Sequence, residues 1–160
     1  MDKLYAPWRI DYIKGDKSDC CIFCEKPSQE QLVVYEGKDA FVMMNRYPYT
    51  CGHLMIIPFR HVGGIEDLTA EERVEMFDLL NVSVQILKKA MGPEGFNIGM
   101  NIGKAAGAGI EDHIHIHVVP RWSGDTNFMT AVAEIRVIPE DIIKTGEQLL
   151  PYFRKYCREV

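Results

Sequence analysis

The 160-residue chain lacks the features that would assign it to a membrane or to a nucleic acid. It has no signal peptide and no apolar run near the ~18 residues that a membrane span requires. It has no run of basic residues, and its net charge is −5. This charge argues against tight DNA binding and against attachment to a membrane surface. We therefore expect a cytoplasmic protein that binds neither DNA nor membranes.

No internal repeat, low-complexity tract or linker divides the chain. Its hydrophobic content of 47% provides enough apolar material for one core. We predict a single domain over residues 1–160, with an N-terminal arm over 1–20 and a helical tail over 139–160.

The five cysteines are an odd number, and in a reducing compartment they are expected to be thiols or metal ligands before disulfides. Cys21 and Cys24 form a C-x-x-C motif, which is ambiguous between zinc and redox chemistry. A thioredoxin-type motif should open a helix, whereas Glu25-Lys26-Pro27-Ser28 follows here. A zinc ion would need two more ligands, and the candidates are His61 and a histidine of the 113–117 stretch.

Three of the five histidines, His113, His115 and His117, alternate with apolar residues. This alternation predicts a β-strand with one apolar face and one polar face, on which neighbouring imidazoles stand ~6.6 Å apart. A lone histidine would more often be a core residue. Here the intervening Ile and Val residues already supply the burial, so packing does not explain the histidines. We predict a row of side chains along a pocket that titrate near neutral pH.

Two chemistries suit these histidines. They could bind catalytic zinc, but His113 and His117 would lie ~13 Å apart on a strand, too far to share an ion without bending. Alternatively, an imidazole attacks phosphorus while its neighbours orient it and protonate the leaving oxygen. His115 has a neighbour on each side and is the natural nucleophile. The preceding glycine-rich stretch, Gly103 to Ile110, favours this chemistry because its backbone amides could form an anion-binding nest.

The remaining patterns predict an α+β fold. Strands are predicted over 31–36, 40–45, 53–58 and 96–102 in addition to the histidine strand, with a further possible strand over 129–138. Thr69 and Glu72 form a capping box that begins a helix ending near Met91. The stripe expected to cover the sheet consists of Val74, Phe77, Leu80, Val84, Leu87 and Met91. A second helix is predicted from about Glu140.

The segment from His113 to Val119 resembles the His-φ-His-φ-His-φ-φ signature of the histidine triad (HIT) family of nucleotide hydrolases and transferases, where φ is an apolar residue. Similar family blocks occur in family order at 41–48, 52–61 and 101–122. The run over 120–129 and the Trp8-Arg9 pair look most like the branch that contains bacterial diadenosine tetraphosphate phosphorylases and hydrolases. The resemblance implies a HIT-like antiparallel sheet of about five strands, one long central helix and a C-terminal helix.

The resemblance also implies an activity and a set of site residues. The expected enzyme cleaves a dinucleoside polyphosphate, or a related nucleotide conjugate, at the α-phosphate through a nucleotidyl-histidine intermediate. His115 would be the nucleophile, and the other catalytic histidines would be His113, His117 and His53. Asn45 would hold the ribose, and Met43 and Met55 would line the base pocket. The phosphates would face Asn101, Gly107, Ala108 and Gly109.

In zinc-carrying relatives a structural site matches Cys21, Cys24, His61 and His113. The resemblance further implies a homodimer and no organic cofactor. One departure concerns the loop before the histidines, where many relatives carry a Gln and a Ser or Thr that contact phosphate. Here the run from Gly107 to Asp112 lacks them and is one residue longer than in those relatives, so phosphate binding would depend on backbone amides. Hydrolysis, phosphorolysis and transfer remain open, and the alternative is a non-catalytic nucleotide-binding regulator.

Overall fold

The computed structural model describes residues 21–24, 32–125 and 140–157. Five strands and two α-helices follow one another along these residues. They are β1 (Val33–Glu36), β2 (Ala40–Met44), β3 (Leu54–Pro58), α1 (Ala70–Met91), β4 (Gly95–Gly99), β5 (Ile116–Arg121) and α2 (Ile142–Tyr156). The N-terminal arm over 1–20 and the possible strand over 129–138 lie outside the described residues.

The strands form one five-stranded sheet in the order β1-β2-β3-β5-β4, and every neighbouring pair is antiparallel. Strands β2 and β3 are buried along their whole length, so they form the centre of the core. Both helices pack against the sheet and against each other. This arrangement confirms the predicted α+β fold with one long helix and a C-terminal helix.

The β1–β2 turn is attached to helix α1 by one carboxylate. Glu75 accepts backbone hydrogen bonds from Lys38 at 2.7 Å and from Ala40 at 2.9 Å, and also from Asp39. A single side chain thereby satisfies three backbone donors that the turn leaves unpaired. The contact fixes the position of α1 relative to the β1–β2 hairpin.

The ends of helix α1 confirm the predicted capping signals. Thr69 Oγ1 accepts a hydrogen bond from the Glu72 amide at 3.2 Å, and Glu72 Oε2 accepts one from the Thr69 amide at 2.8 Å. The helix ends at Gly92, whose φ of 60° is the left-handed conformation typical of helix C-termini.

The predicted buried stripe of α1 is wrong for two of its six residues. Val74 is 62% exposed and Phe77 is 59% exposed, whereas Leu87 is fully buried and Leu80, Val84 and Met91 are half-buried against the core. The side of α1 that faces the protein instead carries Glu72, Met76, Leu79, Ser83, Ile86 and Leu87. Apolar residues lie on more than one side of this helix, and two polar residues interrupt the buried side. Periodicity therefore could not decide which side would face the sheet.

None of the helices within the described ranges is long and apolar enough to cross a membrane.

Candidate active site

The three alternating histidines do not all lie on one strand. Strand β5 begins at Ile116, so His117 is in the strand whereas His113 and His115 precede it. The Ile114 amide donates a hydrogen bond to the Val62 carbonyl at 2.7 Å, which holds this preceding segment in place. The ring of His113 turns to the Cys21 thiol, while the ring centroids of His115 and His117 are 4.7 Å apart. The predicted single row is therefore wrong for His113.

The hydrogen bond at His115 determines which ring nitrogen carries the lone pair. Its Nδ1 lies 2.9 Å from the His113 carbonyl oxygen, and since a carbonyl only accepts, Nδ1–H donates. In the neutral ring Nε2 then has the lone pair. His115 is 6% exposed, and this burial lowers its pKa although the carbonyl opposes the effect. The neutral ring with a nucleophilic Nε2 is therefore the form favoured at neutral pH.

A hydrogen bond from His53 gives His117 the opposite tautomer to that of His115. The Tyr49 amide donates to His53 Nδ1 at 3.1 Å, so the proton of the neutral His53 ring is on Nε2. His53 Nε2 lies 3.0 Å from His117 Nδ1 and donates to it. A neutral His117 consequently carries its proton on Nε2. The site thus places a ring with a basic Nε2 beside a ring that can donate a proton from Nε2.

His53 itself is suited to stay neutral. It is completely buried, and burial lowers its pKa to about 3, with smaller contributions from His117 and His115. The direction follows from the cost of placing a charge away from water beside other imidazoles. A neutral His53 keeps the hydrogen-bond chain from Tyr49 to His117 in one orientation.

The sheet register brings the predicted base-pocket residues next to His117. Met43 pairs with Met55, Met55 pairs with His117, and His117 pairs with Gly99. Directly opposed residues point to the same face of a sheet, so the side chains of Met43, Met55 and His117 form one row across β2, β3 and β5. Asn45 follows strand β2 on this side, and its Nδ2 lies 3.4 Å from His53 Nε2.

The glycine-rich loop contains a short 3₁₀ turn, Lys104–Ala106, with a glycine of positive φ at each end. Gly103 has a φ of 76° and Gly107 a φ of 80°, conformations that side chains disfavour. Gly107 and Gly109 are exposed, and Asn101 and Ala108 are half-buried. The loop therefore offers backbone to solvent, and its contact with phosphate stays a prediction.

The four predicted metal ligands lie together. The ligand atoms of Cys21, Cys24, His61 and His113 are all within 4.8 Å of one another. Cys21 Sγ and Cys24 Sγ lie 3.4 Å and 3.6 Å from His113 Nδ1, and Cys24 Sγ lies 3.4 Å from His61 Nδ1. Tetrahedral bonds of zinc to sulfur and nitrogen give ligand separations of roughly 3.3–3.8 Å, so these residues fit zinc.

A carbonyl oxygen also orients the ring of His113. His113 Nε2–H donates to the Pro58 carbonyl at 2.8 Å, which leaves the lone pair of Nδ1 directed at the thiols. Such a partner on the far nitrogen is the usual way in which a metal-binding histidine is held. The cluster can therefore hold a metal ion.

Comparison with known proteins agrees with this arrangement. The family model of the HIT domain matches residues 26–124 of the chain. AP-4-A phosphorylase of Mycobacterium tuberculosis is 38% identical, over 94% of this chain and 83% of the relative. The chain belongs to the HIT domain family. The family predicted from the histidine pattern is thereby confirmed.

Two further proteins also resemble the chain. Adenosine 5′-monophosphoramidase hnt1 of Schizosaccharomyces pombe is 27% identical, over 81% of this chain and 95% of the relative. The crystal structure of a Zn-bound histidine triad family protein from Mycobacterium smegmatis superimposes with a TM-score of 0.70. It is 28% identical, and the match covers 88% of this chain and 97% of that protein.

Two contacts of this HIT site were not predicted from the sequence. The Tyr49 amide orients His53, and Phe23 packs edge-on against His113 and His115, with ring centroids 5.5 Å and 5.1 Å apart. A backbone donor leaves no trace in residue type, so Tyr49 carried no signal. Phe23 did carry a sequence signal, because it is an aromatic residue inside the C-x-x-C motif.

Proposed function

We propose that this HIT protein cleaves dinucleoside polyphosphates such as diadenosine tetraphosphate, or related nucleotide conjugates, at an α-phosphate. The observation that carries the proposal is the tautomer of His115, whose Nδ1–H is bound by the His113 carbonyl and whose Nε2 is the nucleophile. The similarity to a protein named AP-4-A phosphorylase supports the substrate class, and the similarity to a phosphoramidase supports nucleotide conjugates as a second group.

The first step forms a covalent intermediate. The Nε2 lone pair of His115 attacks the α-phosphorus, a phosphorus–nitrogen bond forms, and the bond from phosphorus to the bridging oxygen breaks. The electron pair of that bond goes to the leaving oxygen, whose developing charge is stabilised by a hydrogen bond from Nε2–H of His117. Diadenosine tetraphosphate would leave AMP on His115 and release ATP.

The second step frees the histidine. Water or inorganic phosphate attacks the same phosphorus, the phosphorus–nitrogen bond breaks, and its electron pair returns to Nε2 of His115. Attacking water releases one proton to solvent, whereas phosphate attacks through an oxygen that is already deprotonated. Water would release AMP, and phosphate would release ADP.

The other site residues would position the nucleotide. The row of Met43 and Met55 next to His117 is suited to an apolar base, and Asn45 beside His53 is suited to a ribose hydroxyl. Backbone amides from Gly107 to Gly109, together with Asn101, would bind the phosphate oxygens.

The test uses diadenosine tetraphosphate labelled in the α-phosphate. Stopping the reaction without acid should trap labelled protein that acid releases, and His115→Ala should yield none. Product analysis with and without added phosphate then distinguishes phosphorolysis, which gives ADP and ATP, from hydrolysis, which gives AMP and ATP. Binding of nucleotide without turnover or adduct by the native protein would contradict the proposal and support the regulator.

A structural zinc ion is the second part of the proposal. Cys21, Cys24, His61 and His113 would hold it, and it would brace the start of the described chain against the histidine segment. Metal analysis of the native protein should find about one zinc per chain, and Cys24→Ser should lose it whereas Cys157→Ser should keep it. Thiolate ligands need a reducing compartment, which supports a cytoplasmic location.

We also propose a homodimer formed through β4. At one edge of the sheet, β1 packs against α2, where Tyr35 stacks on Phe153 with ring centroids 6.2 Å apart. At the other edge, β4 carries Ile98, which is 48% exposed, and pairing of two β4 edges would cover it. Light scattering should give twice the chain mass. Ile98→Glu should shift it towards monomer, whereas Ile143→Glu on α2 should not.

A further inference from the structure

The segment of the two cysteines serves two sites at once. Residues 21–24 form a turn, closed by a hydrogen bond from the Cys24 amide to the Cys21 carbonyl at 2.9 Å. Both thiols face the metal cluster, whereas the ring of Phe23 between them points into the protein and is 5% exposed. This ring lies edge-on against His113 at an interplanar angle of 86° and against His115 at 64°.

The hydrogen bond of His115 does not by itself aim the nucleophilic nitrogen. A bond at Nδ1 restrains one corner of the ring, while rotation about the Cβ–Cγ bond has a broad energy minimum. The ring therefore needs neighbours that limit this rotation. Phe23 and His117 are such neighbours, with centroids 5.1 Å and 4.7 Å from that of His115.

We propose that Phe23 is a positioning residue for His115 and that closure of the cysteine and histidine cluster holds Phe23 in place. Phe23 acts through the imidazole and does not bind substrate. The proposal rests on the function proposed above, since Phe23 would orient the ring whose Nε2 is the nucleophile of that reaction. It also gives the metal cluster a role in catalysis, although none of its ligand atoms needs to reach the substrate.

The alternative is that Phe23 is only a core residue. Replacing it would then lower stability without a selective effect on His115. Phe153 provides the matched control, because it is also a buried phenylalanine but packs between α2 and β1, against Tyr35. Phe23→Leu and Phe153→Leu remove the same atoms, so the difference between them isolates the ring contacts of Phe23 with His113 and His115.

The first measurement is steady-state turnover of diadenosine tetraphosphate by zinc-loaded protein. Phe23→Leu should lower kcat by about 10- to 100-fold and change KM less than threefold, because small errors in reacting geometry are costly while binding is unaffected. Phe153→Leu should keep kcat within twofold, and Phe23→Tyr, which keeps the ring, should restore most of the loss. If Phe23→Leu retains kcat within twofold, the proposal is overturned.

The second measurement does not depend on activity. Nitrogen-15 NMR of the histidine side chains should show one sharp Nδ1–H tautomer for His115 in the native protein and in Phe153→Leu. Phe23→Leu should broaden this signal or mix the tautomers, and removing zinc from the native protein with a chelator should do the same. An unchanged His115 signal after complete zinc removal would overturn the link to the cluster.

These readouts separate the two proposals. If the native protein turns over no nucleotide, the proposed function fails, while the NMR spectra still decide whether Phe23 orders His115. Should Phe23→Leu fail to fold, Phe23→Met is measured in the same two assays, and an unchanged kcat and His115 signal in that variant would equally overturn the proposal.

Discussion

The rings of His113 and His115 carry their protons on opposite nitrogens, although the residues are two positions apart. His113 donates from Nε2 to the Pro58 carbonyl and directs Nδ1 to the thiols, whereas His115 donates from Nδ1 to the His113 carbonyl and presents Nε2. Each ring is set by one carbonyl oxygen. The same residue type thus becomes a candidate metal ligand in one place and a candidate nucleophile in the other, because the backbone acceptor faces a different nitrogen.

The largest expected effect comes from removing the candidate nucleophile, His115. His115→Ala should lower kcat by on the order of 10⁴-fold or more, since no other described imidazole presents a lone pair in its place. The protein should still fold, bind zinc and bind nucleotide, which calorimetry can measure. A variant with substantial remaining turnover would show that another group attacks phosphorus.

The next effect concerns the hydrogen bond from His117 to the leaving oxygen. His117→Ala should reduce turnover of diadenosine tetraphosphate by about 10²- to 10³-fold because the developing charge on the leaving oxygen loses its donor. The leaving oxygen of the phenyl ester of AMP is more basic than that of the p-nitrophenyl ester, so His117→Ala should lose more activity on the phenyl ester. His115→Ala provides the control, because it should lose activity on both esters. Equal losses of His117→Ala on the two esters would contradict a contact between His117 and the leaving oxygen.

Removing a ligand of the candidate metal cluster should mainly affect stability. Cys24→Ser should abolish stoichiometric zinc and lower the free energy of unfolding by about 3 kcal/mol, because metal binding contributes to folding. Any loss of turnover should be smaller than that of His115→Ala. Urea denaturation in the presence of equal zinc tests this, with Cys157→Ser as the matched thiol variant. A Cys24→Ser protein with native stability and native zinc content would exclude the cluster as a metal site.

The smallest expected effect concerns pH and His53. Its pKa is lowered to about 3 in the folded protein, below the usual 6.5 of an unfolded histidine. On acidification through this window the unfolded chain binds a proton that the folded chain does not, so stability falls as pH falls. His53 should account for about 2 kcal/mol between pH 6.5 and pH 5. His53→Asn should show a correspondingly smaller loss in urea denaturation, and identical pH slopes would argue against a neutral buried His53.

Features encoded by neighbouring residues were predictable. The capping box of Thr69 and Glu72, the end of α1 at Gly92 and the central strands β2 and β3 depend on local hydrogen bonding and local apolarity. The four candidate metal ligands were predicted as a group from their residue types and the family pattern, and the structure brings them together. The exposure of Val74 and Phe77 could not be predicted, since several sides of α1 carry apolar residues.

The amino-acid order alone therefore settled which chemical groups this protein has available, namely the histidines, the two cysteines and the glycine-rich loop. The division of labour among those groups arose only in the folded chain. Pro58 lies 55 residues before His113, and His53 lies 64 residues before His117. Contacts over such separations fix the protons on the rings, and the alternation of residues along a strand contains no information about them.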